Sequence, residues 1–565
     1  MAEADRQALE ALTARYWAFL RHEFPFNALL AGQPNDDPTM FREAPADFVR
    51  RATQASRLLE ELAGVSMANL SVQDRNTYRL LERELDDIRQ VHDTGAFLRP
   101  WLLPVGPEFN TIYFANATQI GDVSAAKAYV SRLATLPAYF CDIEACLRLG
   151  VERGMRYPRV VLQAALVNMR SAIASATADL PWFGPFRRSP ASAKTAMQAE
   201  ADSASDLIAG RIVPAVRALA DFIEHALLPI ARDSIACTDE PLGAVFYSFW
   251  ARHFTTTAMS PVQIHELGLA EVARLESEIA LVAAQAGFAD DVDGYRRFLR
   301  DDPAFYAPSA ESLLERTQAL AKRIDLKIPT IIGHLPRACY GVQSIPPAAA
   351  EKLPLAYAQP SSADGRSPGI FWISSLPERV PVYMLASLVL HEAWPGHLMH
   401  IALMQEMESL PMFRRANFTK YSACLEGWAM YCESLGHEMG LYQTPHEEFG
   451  RLDMEMWRAC RLVVDTGIHL LGWSRTQAID FMVARLALSR QAIEAEVDRY
   501  IAMPAQALGY MIGGLKFREL RKRAQTRLGS RFDLRAYHDQ LIGAGAVTLP
   551  VLEEVIDQWL DRHAA

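Results

Sequence analysis

His391-Glu392-Ala393-Trp394-Pro395-Gly396-His397 places two imidazoles and a carboxylate within one short stretch, the donor types that hold a zinc ion and move a proton beside it. In a His-Glu-x-x-His helix the four-residue step puts both imidazoles on one face and leaves the glutamate next to the metal. Here the histidines are six apart, and on an undistorted helix that step turns two side chains roughly 240° from one another. Pro395 cannot donate to the carbonyl of His391, and Gly396 tolerates angles other residues resist. The pair therefore licenses a bulge that absorbs the extra residues. The competing reading is that Pro395-Gly396 ends one helix, His397 begins another, and the two histidines are unrelated.

A catalytic zinc site takes three protein ligands, and a glutamate from a later helix commonly completes a pair of histidines. Leu425-Glu426-Gly427-Trp428-Ala429-Met430-Tyr431-Cys432-Glu433 offers one in a strongly helical run. Glu426 is the chosen ligand, because its surroundings resemble the Glu-Gly-Phe-Ala segment that supplies the glutamate in aminopeptidase-N-like enzymes. Glu433, on the same helical face, is the alternative ligand or an acceptor for a histidine N–H. The bland reading, a solvated acidic stripe, sits poorly with Tyr421, Cys424, Leu425, Trp428, Met430, Tyr431 and Cys432 around it.

With these motifs the chain resembles the bacterial domain-of-unknown-function 885 family, related to gluzincin metallopeptidases and similar to carboxypeptidase Taq-like and thimet-oligopeptidase-like enzymes. The likeness covers most of the chain. It also rests on Asp364-Gly365-Arg366-Ser367-Pro368-Gly369, on Arg461 to His469, and on Tyr500 to Tyr510. Dipeptidyl peptidase III, with a one-residue expansion of the same motif, is a zinc-binding precedent in the wider clan. Two departures stand out: Leu398-Met399-His400 where the family has His-x-Gln after the second histidine, and Pro504-Ala505-Gln506-Ala507 where it has Pro-Gly-Gln-Ala. His400 is read either as a buried histidine bonded to a neighbour or as part of the metal's surroundings.

In the mechanism this implies, His391, His397 and Glu426 hold zinc, which lowers the pKa of water to about 7 and polarises a carbonyl. Glu392 is general base and then general acid. The oxyanion needs a further donor, whose removal typically costs ~2.7 to 4 kcal/mol of barrier. His469, Tyr500 and Tyr510 are the candidates, with His469 and Tyr510 preferred. Arg458, Arg461, Asp465 and His469 recur at helical spacing on one polar stripe, which either lines a cleft or forms a ladder of salt bridges. Asp465 could orient a zinc histidine, because Met430 occupies the place after the glutamate ligand where related enzymes often carry aspartate. Arg461 and Lys516 are candidates for binding a substrate carboxylate, with a surface role the simpler reading for Lys516.

The elements that must position these groups are mostly helices. Residues 46–63, 72–92, 123–150, 190–232, 261–286, 309–323 and 451–471 read as amphipathic helices, and about Pro381 to Met407 as one buried active helix. Residues 344–369 form a proline-, alanine- and serine-rich connector that could cover substrate. The run 369–374 is the best strand. It is either, by family resemblance, an edge strand that binds peptide by strand addition, or a buried strand closing a sheet. With 565 residues the chain exceeds one ordinary core. We expect a mainly α fold of two helical lobes around a deep cleft, with a small β-sheet beside the active-site helix. Residues 1–240 form the first lobe and 241–565 the catalytic one, divided near Asp239-Glu240-Pro241-Leu242-Gly243.

A net charge of −10 without a basic block argues against nucleic acid as a partner. No window approaches the roughly 20 apolar residues of a membrane span. The amino terminus lacks a basic-then-apolar leader pattern, and seven scattered cysteines suit reduced thiols, so a cytoplasmic location is expected. The leading expectation is a zinc hydrolase of peptide or peptide-like amide bonds in short substrates. The alternatives are an amidohydrolase of a specialised metabolite, a non-hydrolytic metalloenzyme, and a non-catalytic helical binding protein.

Overall fold

The computed structural model of the chain describes residues 2–33, 37–351, 353–363, 365, 367–416 and 420–564. It is mainly helical with one three-stranded sheet. The chain divides into two compact units: Met1–Phe249 with Asp498–Pro504, and Trp250–Val497 with Ala505–Ala565.

In the first unit, helix Ala2–Glu23 buries Leu9, Leu12, Tyr16 and Leu20, the spacing of one helical face. The Tyr16 hydroxyl donates to Glu84 at 2.8 Å, giving a partner to a carboxylate buried in helix Val72–Asp93. Two expected helices are interrupted. The run 123–150 is Val123–Leu133 followed by Leu136–Glu152, because Pro137, which has no N–H, is tolerated in the first turn of a new helix and not inside an old one. The run 190–232 divides into Ala191–Lys194, Gln198–Leu207 and Val213–Phe222, with π turns at Ile208–Ile212 and Ile223–Leu227. Each π turn precedes a proline, Pro214 or Pro229, and the wider turn makes room for a ring that would collide with the carbonyl four residues earlier.

In the second unit, helices Pro261–Gln285 and Pro445–Leu471 both start with reciprocal caps, Ser260 with Gln263 and Thr444 with Glu447. The two helices pack together. His265 Nδ1 meets Thr466 Oγ1 at 2.8 Å, and Arg274 pairs with the buried Glu455 at 2.5 Å. Arg451 and Arg518 join the same carboxylate. Burial pushes Glu455 up, but the three guanidinium groups outweigh it and hold the carboxyl at about 2.

The sheet has the order β1-β3-β2, with β1 Tyr340–Ser344, β2 Ala356–Gln359 and β3 Gly369–Ile373. β3 is parallel to β1 and antiparallel to β2, with Phe371 opposite both Val342 and Ala358. The edge-strand expectation for 369–374 is thereby corrected: β3 is central, and its backbone is paired on both sides. Its residues are apolar and almost all buried, as a strand covered on both faces requires. The connector after β1 is not a plain loop, since it contains β2 and a helical turn at Pro347–Ala350. Asp364 and Arg366, two of the motif residues, lie outside the described residues.

Candidate metal centre

The first histidine ends helix Leu385–Glu392 and the second starts helix His397–Gln405. The expectation of one helix with a bulge is corrected, because the helix ends at Glu392 and a turn over Ala393 to Gly396 separates it from the next. The histidines nonetheless meet, with ring centroids 4.8 Å apart and planes at 86°. Gly396 makes this return possible. A Cβ there would lie 2.0 Å from the His391 carbonyl oxygen and 2.4 Å from that of Leu390, so the turn folds back on the helix end more tightly than any side chain allows. Trp428 Nε1 donates to the Pro395 carbonyl at 2.9 Å, tying the turn to the helix that carries the glutamate.

That helix, Ser422–Ser434, crosses helix Leu508–Leu528 backbone to backbone: a Cβ on Gly427 would stand 2.5 Å from Gly513 Cα. Glycine at both positions sets the depth at which Glu426 is presented. Glu426 Oε2 lies 3.3 Å from His397 Nε2 and 3.5 Å from His391 Nε2. One ligand atom from each of the three residues falls within 4.8 Å of the others, a spacing that one ion with bonds of about 2.0–2.2 Å can bridge. Glu426 Oε2 is buried and faces the two imidazole Nε2 atoms without a well-formed hydrogen bond, a position in which a cation would stabilise the carboxylate. Two imidazole nitrogens and one carboxylate are also the donor set of a catalytic zinc site. The residues fit the ion.

Burial opposes a charged imidazole at His391, but Glu426 and Glu433 outweigh it and raise the group to about 9. Burial pushes Glu426 up, while His397 and His391 draw it well below the usual carboxylate range. The carboxylates and the imidazoles thus favour one another's charged forms. Behind it, His391 Nδ1 donates to Glu433 Oε1 at 2.8 Å, which leaves Nε2 facing the centre. Tyr442 donates to the Glu433 carbonyl at 2.6 Å and meets Ser387 Oγ at 3.0 Å, linking this helix to the one that carries His391. Arg458 pairs with Glu433 at 3.3 Å.

Glu392 is half-buried beside His391, and its charge is among those felt by that imidazole. His400 is buried with Nδ1 unpartnered, and burial together with His397 pushes it down to about 4. It adds no atom to the three-residue ligand group, and no neighbour bonds its Nδ1. His469 is fully buried in the last turn of Pro445–Leu471. Tyr510 is half-buried, with the Arg461 guanidinium 4.2 Å from its ring centre. Tyr500 is buried in the Asp498–Pro504 segment of the other unit.

Three further residues find their partners. Arg461, considered for a substrate carboxylate, already pairs with Glu496 at 3.3 Å. Lys516 pairs with Glu519 and Glu553, in line with a surface role. Glu433, not Asp465, receives the Nδ1–H of His391, while both Asp465 oxygens accept the Ala505 N–H at 3.0 and 3.1 Å. Ala505 has φ +68°, a left-handed conformation that glycine adopts without strain. The Asp465 carboxylate, accepting the Ala505 N–H through both oxygens, helps hold the alanine in this conformation.

The salt-bridge reading of Arg458 did not name Glu433 as its partner, and the sequence did not mark Trp428 and Tyr442 as braces. Their aromatic or basic types carried no local signal of partners that lie far away in the chain.

Fold and site together define a mainly helical protein with a three-stranded sheet and a buried cluster of two histidines and one carboxylate. The chain belongs to the family described as bacterial protein of unknown function (DUF885), whose model matches residues 25–556. It is similar to the crystal structure of a candidate lipoprotein from Colwellia psychrerythraea, with 27% identity, 99% of each chain covered and a TM-score of 0.91. A candidate lipoprotein of unknown function from Shewanella oneidensis shares the fold at 16% identity, with a TM-score of 0.73 over 97% of this chain and 99% of the other. Among curated proteins none matches the sequence.

Proposed function

We propose that the protein is a zinc-dependent hydrolase of the gluzincin type, acting on peptide or peptide-like amide bonds in short substrates. What carries the reading is the convergence of one ligand atom each from His391, His397 and Glu426 within 4.8 Å of one another, with the buried Glu426 Oε2 facing the Nε2 atoms of both histidines. When bound there, zinc supplies a Lewis acid that polarises a carbonyl and lowers the pKa of water. The chain supplies the rest. Glu433 fixes the His391 tautomer, and Glu392 takes a proton from the attacking water and returns it to the leaving nitrogen. His469 and Tyr510 are the proposed donors to the developing oxyanion.

The test is zinc content by mass spectrometry in protein purified without chelators, with hydrolysis of a mixed peptide and acyl-amide library followed with and without phenanthroline. Glu392→Gln should keep its zinc and lose about 10²–10⁴-fold in turnover. Zinc well below one equivalent in the wild type would sink the metal centre. Wild-type turnover in Glu392→Gln would remove that residue as the base. Cleavage of acyl-amides alone would favour a metabolite amidohydrolase. A cytoplasmic location belongs to the proposal, and the lipoprotein descriptions of the two similar structures make a lipid-attached form the rival outcome of cell fractionation.

A further inference from the structure

Glu433 Oε1 is shared between two cationic or donor groups. It accepts the Nδ1–H of His391 at 2.8 Å, and Arg458 Nη2 stands 3.3 Å from the same oxygen. All three residues are buried, with exposures of 2% for Glu433, 4% for His391 and 4% for Arg458. The guanidinium is itself anchored: Nη1 donates to the Met454 carbonyl, one turn back on its own helix, at 2.9 Å, and its carbon lies 5.4 Å from the Trp457 ring centre. Glu433 follows Glu426 by seven residues, two helical turns, so one helix faces one carboxylate to the centre and the other to the back of the first histidine. One turn after Glu426, where a shorter acid could have served, stands Met430, packed against Gly514.

We propose that Arg458 is a positioning residue for metal binding: it holds Glu433 Oε1 against His391 Nδ1 and so fixes the imidazole with Nε2 toward His397 and Glu426. The inference rests on the metal-centre reading above. A glutamate side chain has several rotatable bonds, and a single hydrogen bond from an imidazole leaves its carboxylate free to turn. A guanidinium fixed to its own helix at one nitrogen and to the carboxylate at another removes that freedom. Partners of this kind behind a metal-bound histidine are typically worth 10–100-fold in metal affinity. The rival account gives Arg458 only the role of neutralising a buried charge. It predicts a less stable protein whose folded fraction binds metal as the wild type does.

The experiment measures zinc affinity by competition with a chromophoric chelator, alongside circular dichroism and thermal melts, in the wild type, Arg458→Gln, Arg458→Lys, Glu433→Gln and the Arg458→Gln/Glu433→Gln double variant. Arg458→Gln that remains folded should bind zinc about 10–100-fold more weakly. Arg458→Lys should recover part of the loss, because charge remains while the two-point fork is gone. The double variant should be no weaker than Glu433→Gln alone, because Arg458 acts through that carboxylate. Wild-type affinity in folded Arg458→Gln, or additive losses in the double variant, would overturn the proposal while leaving the metal centre standing. Should Arg458→Gln fail to fold, Arg458→Lys alone and combined with Glu433→Gln carries the same cycle. A wild type that takes up no zinc overturns the metal-centre reading, and this inference with it.

Discussion

Glu426 Oε2 lies 3.3 Å from His397 Nε2, and the two residues come from helices that meet only in the folded chain. If this carboxylate is a zinc ligand, Glu426→Gln should lower zinc affinity by more than about 100-fold, beyond the effect typical of residues behind the ligands. Metal analysis after dialysis against a weak chelator checks it. A full equivalent of zinc retained by Glu426→Gln would take the residue out of the ligand set.

The turn between the histidines has no room for a side chain. Because a Cβ on Gly396 would lie 2.0 Å from the His391 carbonyl oxygen, Gly396→Ala forces the backbone to move. The expected destabilisation is about 1–3 kcal/mol. It should be accompanied by weaker zinc binding, as the ring spacing of 4.8 Å depends on that turn. Urea unfolding and zinc competition measure the two effects. A variant unchanged in both would mean that the turn does not set the histidine geometry.

Glu108 should make the protein less stable as pH rises. Its side chain is buried, Oε2 has no hydrogen-bond partner, and burial raises the carboxyl from 4.5 to about 7. A carboxyl raised in the folded state stays neutral there while the unfolded chain ionises, so stability is highest below the unfolded value and declines from pH 4.5 toward 7. Glu108→Gln removes that slope. It should match the wild type near pH 4 and exceed it above pH 7 by up to about 3 kcal/mol. Denaturant titrations across this range decide it, and parallel curves for the two proteins would show that Glu108 ionises freely in the folded state.

Much of the centre was legible because it is written in local chemistry. The imidazoles, the adjacent Glu392 and the breaking pair Pro395-Gly396 lie within one short stretch. The caps at Ser260 and Thr444 mark helix starts through residues three positions apart. Helix period then places Glu426 and Glu433 on one face. Yet the spacing of His391 and His397 could not say whether a broken helix separates them or returns them to each other. Composition could not say that the apolar run 369–373 would be central, because an edge strand and a covered one differ in neighbours and not in their own residues.

The sequence by itself determined which groups are available and which segments are helical, since propensity, caps and proline act over a few residues. Only the tertiary structure decided how they pair: Glu433 and not Asp465 on His391, Glu496 on Arg461, Ala505 on Asp465, Arg458 behind Glu433. Those choices depend on which helix faces come together across long stretches of chain, and the approach of the helices at Gly427 and Gly513 sets distances that no local pattern encodes.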